Sequence, residues 1–272
     1  MGNQAPYNIH HSHNTMYLII AIPLTVLIIW FIFRHKNNII SPRKTKLDKA
    51  YWLLLDKQVS YYRKLNPSEK KRFENQVDEF LKNVNIEGVG TDITDIDRVL
   101  IASSAVIPVF GFGNWRYPNL TNVILYPDTF DKDYQFEGEN DRNIMGMVGS
   151  GYMNGQMLLS RTALVKGFSA AAGKENAAIH EFVHLLDKSD GAVDGLPELL
   201  MKHEYAAPWL SLMHREMHRI EDGKSDINPY ALTSEAEFLA VAAEYFFEKP
   251  EQLQNKHPEL YQQLSQIFRQ NQ

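Results

Sequence analysis

Two histidines and a glutamate stand together in the pentapeptide His180-Glu181-Phe182-Val183-His184, inside an apolar stretch that predicts a buried helix. On a helix, residues four apart lie on one face with Cβ atoms roughly 5–6 Å apart, so both imidazoles can reach one metal ion. Glu181 projects beside them, where its carboxylate can take a proton from a water on that metal. The H-E-x-x-H spacing therefore predicts a zinc site, with His180 and His184 as ligands and Glu181 as general base. The alternative is a solvated amphipathic helix, which the apolar neighbours of the motif disfavour.

A third protein ligand is expected, because catalytic zinc commonly has three protein ligands and an open position. The chain contains no cysteine, so this ligand must be a histidine, an aspartate or a glutamate. Asp190 has the spacing of a metzincin-like ligand, but Asp187 occupies the position of the glycine that this motif requires. Glu204 follows His184 by 20 residues, a spacing that is found in thermolysin-like enzymes.

Two further candidates, Glu237 and Glu244, lie in an apolar stretch that predicts a helix over about 234–247. Seven residues apart, they share one helix face, so at least one of them is expected to be buried. Ser234 and Glu237 also match a capping box, and Glu244 fits a residue that orients a ligand histidine. By pattern alone, Glu237 and Glu204 are nearly equal candidates for the third ligand.

Composition excludes several classes of protein. The 272 residues carry a formal charge of −5, whereas a nucleic-acid-binding domain would be strongly positive, so no direct nucleic-acid binding is expected. The absence of cysteine excludes disulfides, thiolate zinc sites and a cysteine nucleophile. The hydrophobic content of 44% is ordinary for a globular protein.

An uncharged apolar run, 16–33, predicts a transmembrane helix. As a helix, its 18 residues would span about 27 Å, close to the thickness of the hydrocarbon core of a bilayer. A signal peptide is disfavoured because residues 1–15 contain no lysine or arginine. Basic residues are concentrated in the linker 34–48, so the positive-inside rule places 1–15 outside as a short tail and the large C-terminal part in the cytoplasm. The prediction is a single-pass protein of the inner (cytoplasmic) membrane.

The rest of the chain, 49–272, predicts one mostly helical α+β domain. Helical periodicity dominates to about residue 113, and the catalytic core is expected over about 114–250. Within this core, 122–126 is strand-like and a further helix is predicted over 197–220.

A hairpin is predicted within 148–160, where two strand-like segments surround Asn154-Gly155. Peptide substrates of zinc peptidases commonly join an exposed sheet edge beside the metal. We expect Met157–Leu159 to form that edge, although an ordinary structural hairpin is the alternative.

Segments spread over 55–268 match one known family. They are Phe80-Leu81, 96–101 (IDRVLI), 123–130 (VILYPDTF), 179–187 (IHEFVHLLD), Asp194-Gly195 and 230–247 (YALTSEAEFLAVAAEYFF). Through them the chain resembles the Mlc titration factor A family of zinc peptidases, which is distantly related in its catalytic core to anthrax lethal factor. The resemblance implies a zincin-like domain with a small sheet beside the H-E-x-x-H helix. It also implies that Glu237 completes the zinc site and that Tyr230 faces the metal.

The resemblance further implies a function. It points to a zinc-dependent metallopeptidase with one Zn²⁺ per chain, an aminopeptidase that acts on peptides or proteins. The apolar run 16–33 departs from the best-known members, which are soluble, and adds a membrane anchor to this expectation. The alternative is a regulatory binding protein, since the family takes its name from sequestering a sugar-responsive transcriptional repressor. Tyr230 is expected to donate a hydrogen bond to the developing oxyanion, unless it is a packing residue. Asp187 or Asp194 is a candidate for orienting a ligand histidine, although Asp187 follows His184 by only three residues, so a structural role at the helix end is its simpler explanation.

Overall fold

Helices make up most of the described chain, together with one small sheet. The structure is a computed structural model, and the residues it describes are Gly2, 49–136, 142–149, 151–198, 200–201 and 205–272. The helices are α1 (Lys49–Gln58), α2 (Ser60–Lys64), α3 (Pro67–Asn83), α4 (Asp95–Val109), α5 (Arg161–Gly167), α6 (Ala177–Asp187), α7 (Ala206–Glu221), α8 (Glu235–Glu248), α9 (Pro250–Lys256) and α10 (Pro258–Phe268). The strands are β1 (Asn85–Gly88), β2 (Asn122–Tyr126), β3 (Gly146–Val148) and β4 (Gln156–Ser160). The predicted α+β class, with helix predominant, is confirmed.

Side-chain caps mark where α3 and α4, the two longest helices of the N-terminal half, begin. Asn66 caps α3, and Pro67 occupies the first turn, where its missing N–H removes no helical hydrogen bond. Thr94 caps α4 and forms a reciprocal capping box with Asp97. The start of each helix is thus set by residues that are adjacent in the sequence.

The sheet has four strands in the order β1-β2-β4-β3. Strands β1, β2 and β4 are parallel, whereas β3 is antiparallel to β4. Strand β4 is therefore an interior strand, and Met157, Leu158 and Leu159 are almost completely buried. The prediction that Met157–Leu159 forms the sheet edge is wrong, because a continuous apolar run is typical of a strand that is paired on both sides and covered on both faces. The last strand of the described sheet is β3.

Three local predictions differ from the structure. Residues 85–88 form β1, a strand that the sequence did not predict, because its pairing with β2 is a contact between segments distant in sequence. Residues 151–153 form a 3₁₀ turn rather than the end of a strand. The helix predicted over 197–220 begins only at Ala206.

Helix α6 packs against α8 and α4. Its aromatic residue, Phe182, is surrounded by other aromatic side chains. Phe182 is fully buried, with ring centroids 5.8 Å from Phe80 and 5.2 Å from Tyr117. The Tyr117 hydroxyl donates to the backbone oxygen of Ala105 in α4 at 2.6 Å. These contacts hold the face of α6 that lies opposite the two histidines.

No helix among the described residues is both long and apolar enough to cross a bilayer. The predicted membrane segment 16–33 lies outside the described residues, and so does the linker 34–48. All described residues from Lys49 onward belong to one compact unit.

Candidate metal centre

Helix α6 carries both histidines of the motif, and Asn176 fixes where this helix begins. The buried Asn176 side chain accepts a hydrogen bond from the Ile179 N–H at 3.2 Å. The ring centroids of His180 and His184 are 4.7 Å apart, and their Nε2 atoms are 3.1 Å apart. The two imidazoles therefore lie on one helix face, as their spacing predicts.

Helix α8 brings Glu237 to the same point. Ser234 caps this helix by accepting a hydrogen bond from the Glu237 N–H at 3.2 Å. The Glu237 carboxylate does not complete the capping box, because its Oε2 lies 2.8 Å from His180 Nε2 and 3.4 Å from His184 Nε2. The backbone N–H of Glu237 thus takes part in the cap of α8, while its side chain faces the two histidines.

The donor atoms of His180, His184 and Glu237 all lie within 4.8 Å of one another. Two imidazole nitrogens and one carboxylate oxygen are a donor set that zinc accepts at catalytic sites. Among the described residues, this is the one group of three histidine or acidic side chains that is close enough to hold a metal ion. The chemistry of the three side chains therefore fits a divalent metal.

Asp190, the candidate with metzincin-like spacing, has other partners. Asp190 accepts hydrogen bonds from the backbone N–H groups of Ala192 and Glu198, at 3.0 and 2.9 Å, and so shapes the loop after α6. Glu204 is outside the described residues. Of the acidic candidates that can be placed, Glu237 alone belongs to the three-residue group.

Glu244 orients His180 from the side opposite Glu237. Its Oε1 lies 2.7 Å from His180 Nδ1, and its Oε2 accepts the backbone N–H of Asn176. A carboxylate on Nδ1 fixes the ring orientation and leaves Nε2 for a metal ion. Glu237 and Glu244 therefore contact different nitrogens of one imidazole.

Asp187 and Asp194 were candidates for orienting a ligand histidine, but their hydrogen bonds go to the backbone. Asp187 Oδ2 accepts the Gly195 N–H at 2.9 Å, and Asp194 Oδ1 accepts the Leu196 N–H at 3.1 Å. Within the described part of the chain, His184 Nδ1 and Asp187 Oδ1 are both buried without a hydrogen-bond partner. For His180, the orienting role falls to a residue of α8 instead.

The electrostatic environment of these residues favours positive charge. Burial disfavours the protonated imidazole of His180, but its hydrogen bonds to Glu237 and Glu244 outweigh burial and raise its pKa. Burial likewise opposes ionisation of Glu237, yet hydrogen bonds from His180 and His184 lower its pKa to about 2. A cluster that attracts protons in this way also attracts a metal cation.

Glu181 and Tyr230 line one cleft beside the three candidate ligands. The cleft has a volume of about 500 Å³, and His180 also lines it. Burial raises the pKa of Glu181, which is only 8% exposed. The Tyr230 ring is half exposed and lies 6.0 Å from the His180 ring, and burial together with the nearby Glu237 raises its pKa.

A 3₁₀ turn, Pro229–Leu232, presents Tyr230 to the cleft. Asn228 caps this turn by accepting the Tyr230 N–H at 3.0 Å, and Pro229 occupies its first position. Tyr230 therefore faces the cleft rather than the protein core, which disfavours a purely packing role.

The sequence singled out neither Asn176 nor Gly146 in connection with this centre. Asn176 precedes the apolar run of α6, so an N-cap signal was present and could have been used. Gly146 lies in β3 directly against Glu181, and its contact with α6 depends on tertiary packing. No local pattern marks it.

Comparison with known proteins gives one family. The family described as glucose-regulated metallo-peptidase M90 matches residues 32–269. A protein of Synechocystis sp. described as uncharacterized is 29% identical over 251 residues, which are 88% of this chain and 89% of that protein. Proteins named Mlc titration factor A from Klebsiella pneumoniae and Escherichia fergusonii are 27% and 28% identical over 221 residues, 76% of this chain and 81% of each relative.

Proposed function

The chain belongs to the glucose-regulated metallo-peptidase M90 family, and from this premise we propose that it is a zinc-dependent peptidase. The observation that carries the proposal is the convergence of His180, His184 and Glu237 beside Glu181. The first three would hold one Zn²⁺, and Glu181 would act as general base.

A bound Zn²⁺ would supply a Lewis acid and an activated water for attack on the scissile carbonyl. Glu181 would accept the proton of the attacking water and pass it to the leaving amine. Its raised pKa suits a group that must both take up and release a proton. The Tyr230 hydroxyl, with its pKa also raised, would remain protonated and donate to the developing oxyanion.

Strand β3 supports the binding of an extended peptide. The N–H of Ser160 donates to the oxygen of Met145, and the N–H of Gly149 donates to the oxygen of Gln156. Because hydrogen-bonded pairs alternate along an antiparallel ladder, the N–H and C=O groups of Gly146 and Val148 point away from β4. They offer a substrate backbone the edge that the sequence assigned to Met157–Leu159.

The aminopeptidase assignment is the finer part of the proposal. Glu175 lines the same cleft as His180 and Glu181, and its side chain is half exposed. It lies 3.4 Å from Lys166 Nζ and accepts a hydrogen bond from Asn228 at 3.1 Å. A carboxylate in this position can bind the free ammonium group of a substrate N-terminus.

Substrates that differ only at the N-terminus test this assignment. We expect alanyl and leucyl p-nitroanilides to be cleaved, and their N-acetylated forms to be poor substrates. The variant Glu175→Gln should lose much of this discrimination through KM. Equal cleavage of the free and acetylated substrates would contradict aminopeptidase specificity but leave the peptidase proposal intact.

We extend the proposal to location, with residues 16–33 as a single membrane anchor and the peptidase domain in the cytoplasm. Support comes from the apolar run and from the basic residues that follow it. The full chain should then sediment with inner membranes and resist extraction by carbonate. Recovery of the full chain in the soluble fraction would contradict the anchor.

A second function, binding of a transcriptional repressor, is supported by the name of the relatives, Mlc titration factor A. We propose that this chain binds a repressor of the Mlc type at the membrane. Glu181→Gln should retain such binding, since the substitution alters the general base without changing the side-chain volume. Absence of binding by both wild-type protein and Glu181→Gln would exclude this function.

The peptidase proposal is tested by zinc content and turnover measured on the same samples. The wild-type full chain in detergent should bind one zinc ion and hydrolyse the substrates. Glu181→Gln should keep the zinc and lose turnover by about 10²–10⁴-fold, the typical contribution of general acid–base catalysis. Glu235→Gln, an exposed glutamate at the start of α8, is the matched control. A zinc-loaded wild-type protein without turnover would contradict the peptidase and favour the binding protein.

A further inference from the structure

Glu181 lies directly against the backbone of strand β3. A Cβ atom built on Gly146 would be 2.5 Å from Glu181 Cγ, 2.9 Å from its Oε1 and 3.0 Å from its Cδ. These are the three nearest atoms, and all of them belong to Glu181. Real Cβ atoms essentially never approach a neighbour to 2.5 Å, so any side chain at 146 would have to displace Glu181.

The backbone conformation of Gly146 does not itself require glycine. Gly146 is absent from the residues with positive φ, the region in which side chains are disfavoured. It lies in a regular ladder in which it is opposite Leu159, and the bond from Ser160 N–H to Met145 oxygen holds the strand in register. Since β3 is held in this register, the contact with Glu181 is the constraint at this position.

Packing, rather than hydrogen bonding, sets the position of Glu181. In the described chain its carboxylate has no hydrogen-bond partner, and the groups that influence its pKa after burial are the charges of His180, His184, Glu237 and Glu244. The side chain is only 8% exposed, so it has little room to choose another rotamer. The backbone of strand β3 therefore limits, by steric contact, where the Glu181 carboxylate can lie on the side of the cleft.

We propose that Gly146 is a positioning residue for Glu181, which the strand backbone holds in place because no side chain intervenes. The proposal rests on the proposed function, in which Glu181 is the general base. A general base must lie within about 2.6–3.2 Å of the proton that it abstracts. A methyl group at 146 would move Glu181 out of that range, and the three atoms nearest to it all belong to Glu181 rather than to the candidate ligands.

The variant Gly146→Ala tests the proposal in the full chain. We expect it to retain one zinc ion and the wild-type melting temperature to within a few degrees. Turnover should fall by about 10–100-fold in kcat with little change in KM, since a misplacement of about 1 Å can cost about 10²-fold. Met147→Ala, a truncation at the next position of the same strand, is the control and should remain near wild type.

A double variant separates an effect through Glu181 from a general loss of structure. Glu181→Asp shortens the base by one methylene and makes room for the added methyl group. We expect Gly146→Ala to reduce kcat less than about 3-fold in the Glu181→Asp background, because residues in contact show non-additive effects. An equal loss in both backgrounds would overturn the proposal.

Crystal structures of wild-type protein and Gly146→Ala give a readout that does not depend on turnover. The Glu181 carboxylate should be displaced by about 1 Å or more, while the donor atoms of His180, His184 and Glu237 remain in place. An unmoved Glu181 would overturn the proposal. If wild-type protein fails to turn over any substrate, the proposed function fails, yet the displacement still decides whether Gly146 positions Glu181.

Discussion

Two buried histidines, His180 in α6 and His257 between α9 and α10, are each held between two carboxylates. Every ring nitrogen of the two residues lies 2.7–2.9 Å from a carboxylate oxygen. The carboxylates are Glu237 and Glu244 around His180, and Glu216 and Asp226 around His257. By these distances alone, the two regions are equivalent.

The surrounding cations make the difference. Asp226 also accepts hydrogen bonds from Lys174 and Lys256, at 2.6 and 2.8 Å, and Arg219 pairs with Glu216 at 2.9 Å. Within the described residues, no lysine or arginine forms an ion pair with the carboxylates around His180. The network around His257 is thus neutralised by the protein itself, whereas the candidate metal centre has negative charge that a divalent cation would balance. Uncompensated charge, rather than a histidine between carboxylates, distinguishes a candidate metal site from a structural network.

The largest expected effect is the loss of zinc from one region alone. Glu237→Ala should lose bound zinc and all measurable turnover, because it removes one of three ligands. Asp226→Asn should keep one zinc ion per chain, since it alters only the second network. Elemental analysis after dialysis measures the zinc content per chain of both variants. Glu235→Gln is the control. Full zinc in Glu237→Ala would place the third ligand elsewhere, and loss of zinc in Asp226→Asn would couple the two regions.

His257→Gln should have the reverse pattern, with stability reduced and zinc retained. Removing one member of a buried ion pair costs about 3–5 kcal/mol, and Lys174 and Lys256 remain to compensate Asp226, so we expect about 3 kcal/mol. Denaturant unfolding followed by tryptophan fluorescence at pH 6 measures the change. His218→Gln is the matched control, because His218 is exposed and its ion pair with Glu221, at 3.5 Å, lies at the surface. A change below about 0.5 kcal/mol for His257→Gln would show that the network contributes no net stability.

A smaller effect on zinc affinity is expected from Glu244, which orients His180 without belonging to the three candidate ligands. Glu244→Gln should weaken zinc binding by about 10–100-fold, the usual consequence of losing a carboxylate that orients a ligand histidine. Competition with a chelator of known affinity measures the change. If Glu244→Gln loses zinc as completely as Glu237→Ala, Glu244 is itself a ligand and the comparison of the two carboxylates is wrong.

Local patterns in the sequence predicted that His180 and His184 share a helix face but could not decide which carboxylate lies beside them. The face shared by His180 and His184 follows from a spacing of four residues within one helix. Glu237 and Glu244 are seven residues apart on one face of α8, so periodicity makes both inward-facing. The way α8 packs against α6 determines which carboxylate lies at Nε2 and which at Nδ1, and such packing leaves no signal in the spacing.

The helices and the sheet show the same limit. Helix starts at Asn66, Thr94 and Ser234 follow from side chains that cap the adjacent backbone. The order of the strands depends on pairing between segments far apart in the chain, so the sequence missed β1. For the same reason, the sequence analysis placed Met157–Leu159 at the edge of the sheet, whereas β3 is the last strand. Local chemistry was predictable, whereas contacts between distant segments were not.

The smallest effect concerns how the stability supplied by His257 depends on pH. Hydrogen bonds to Glu216 and Asp226 raise the pKa of His257 above its ordinary value of about 6.5, although burial opposes this. The pKa values of Glu216 and Asp226 are lowered, because hydrogen bonds from their cationic partners outweigh burial. A group whose pKa is raised on folding stabilises the folded state fully below its unfolded pKa, and this stabilisation is lost as the pH rises through the folded pKa. The contributions of the two carboxylates are lost only on acidification below their unfolded values of about 4.

The difference in unfolding free energy between wild-type protein and His257→Gln should therefore be largest near pH 5–6 and shrink as the pH rises above about 6.5. Unfolding curves at intervals from pH 5 to pH 9 measure it. The two carboxylates that contact the imidazole remain ionised over this range, because their pKa values are lowered. A difference that stays constant with pH would mean that folding leaves the pKa of His257 unchanged, so that the two carboxylates do not favour its protonated form. The network would then depend on Lys174, Lys256 and Arg219 for its positive charge, and the contrast with the metal centre would rest on those three residues.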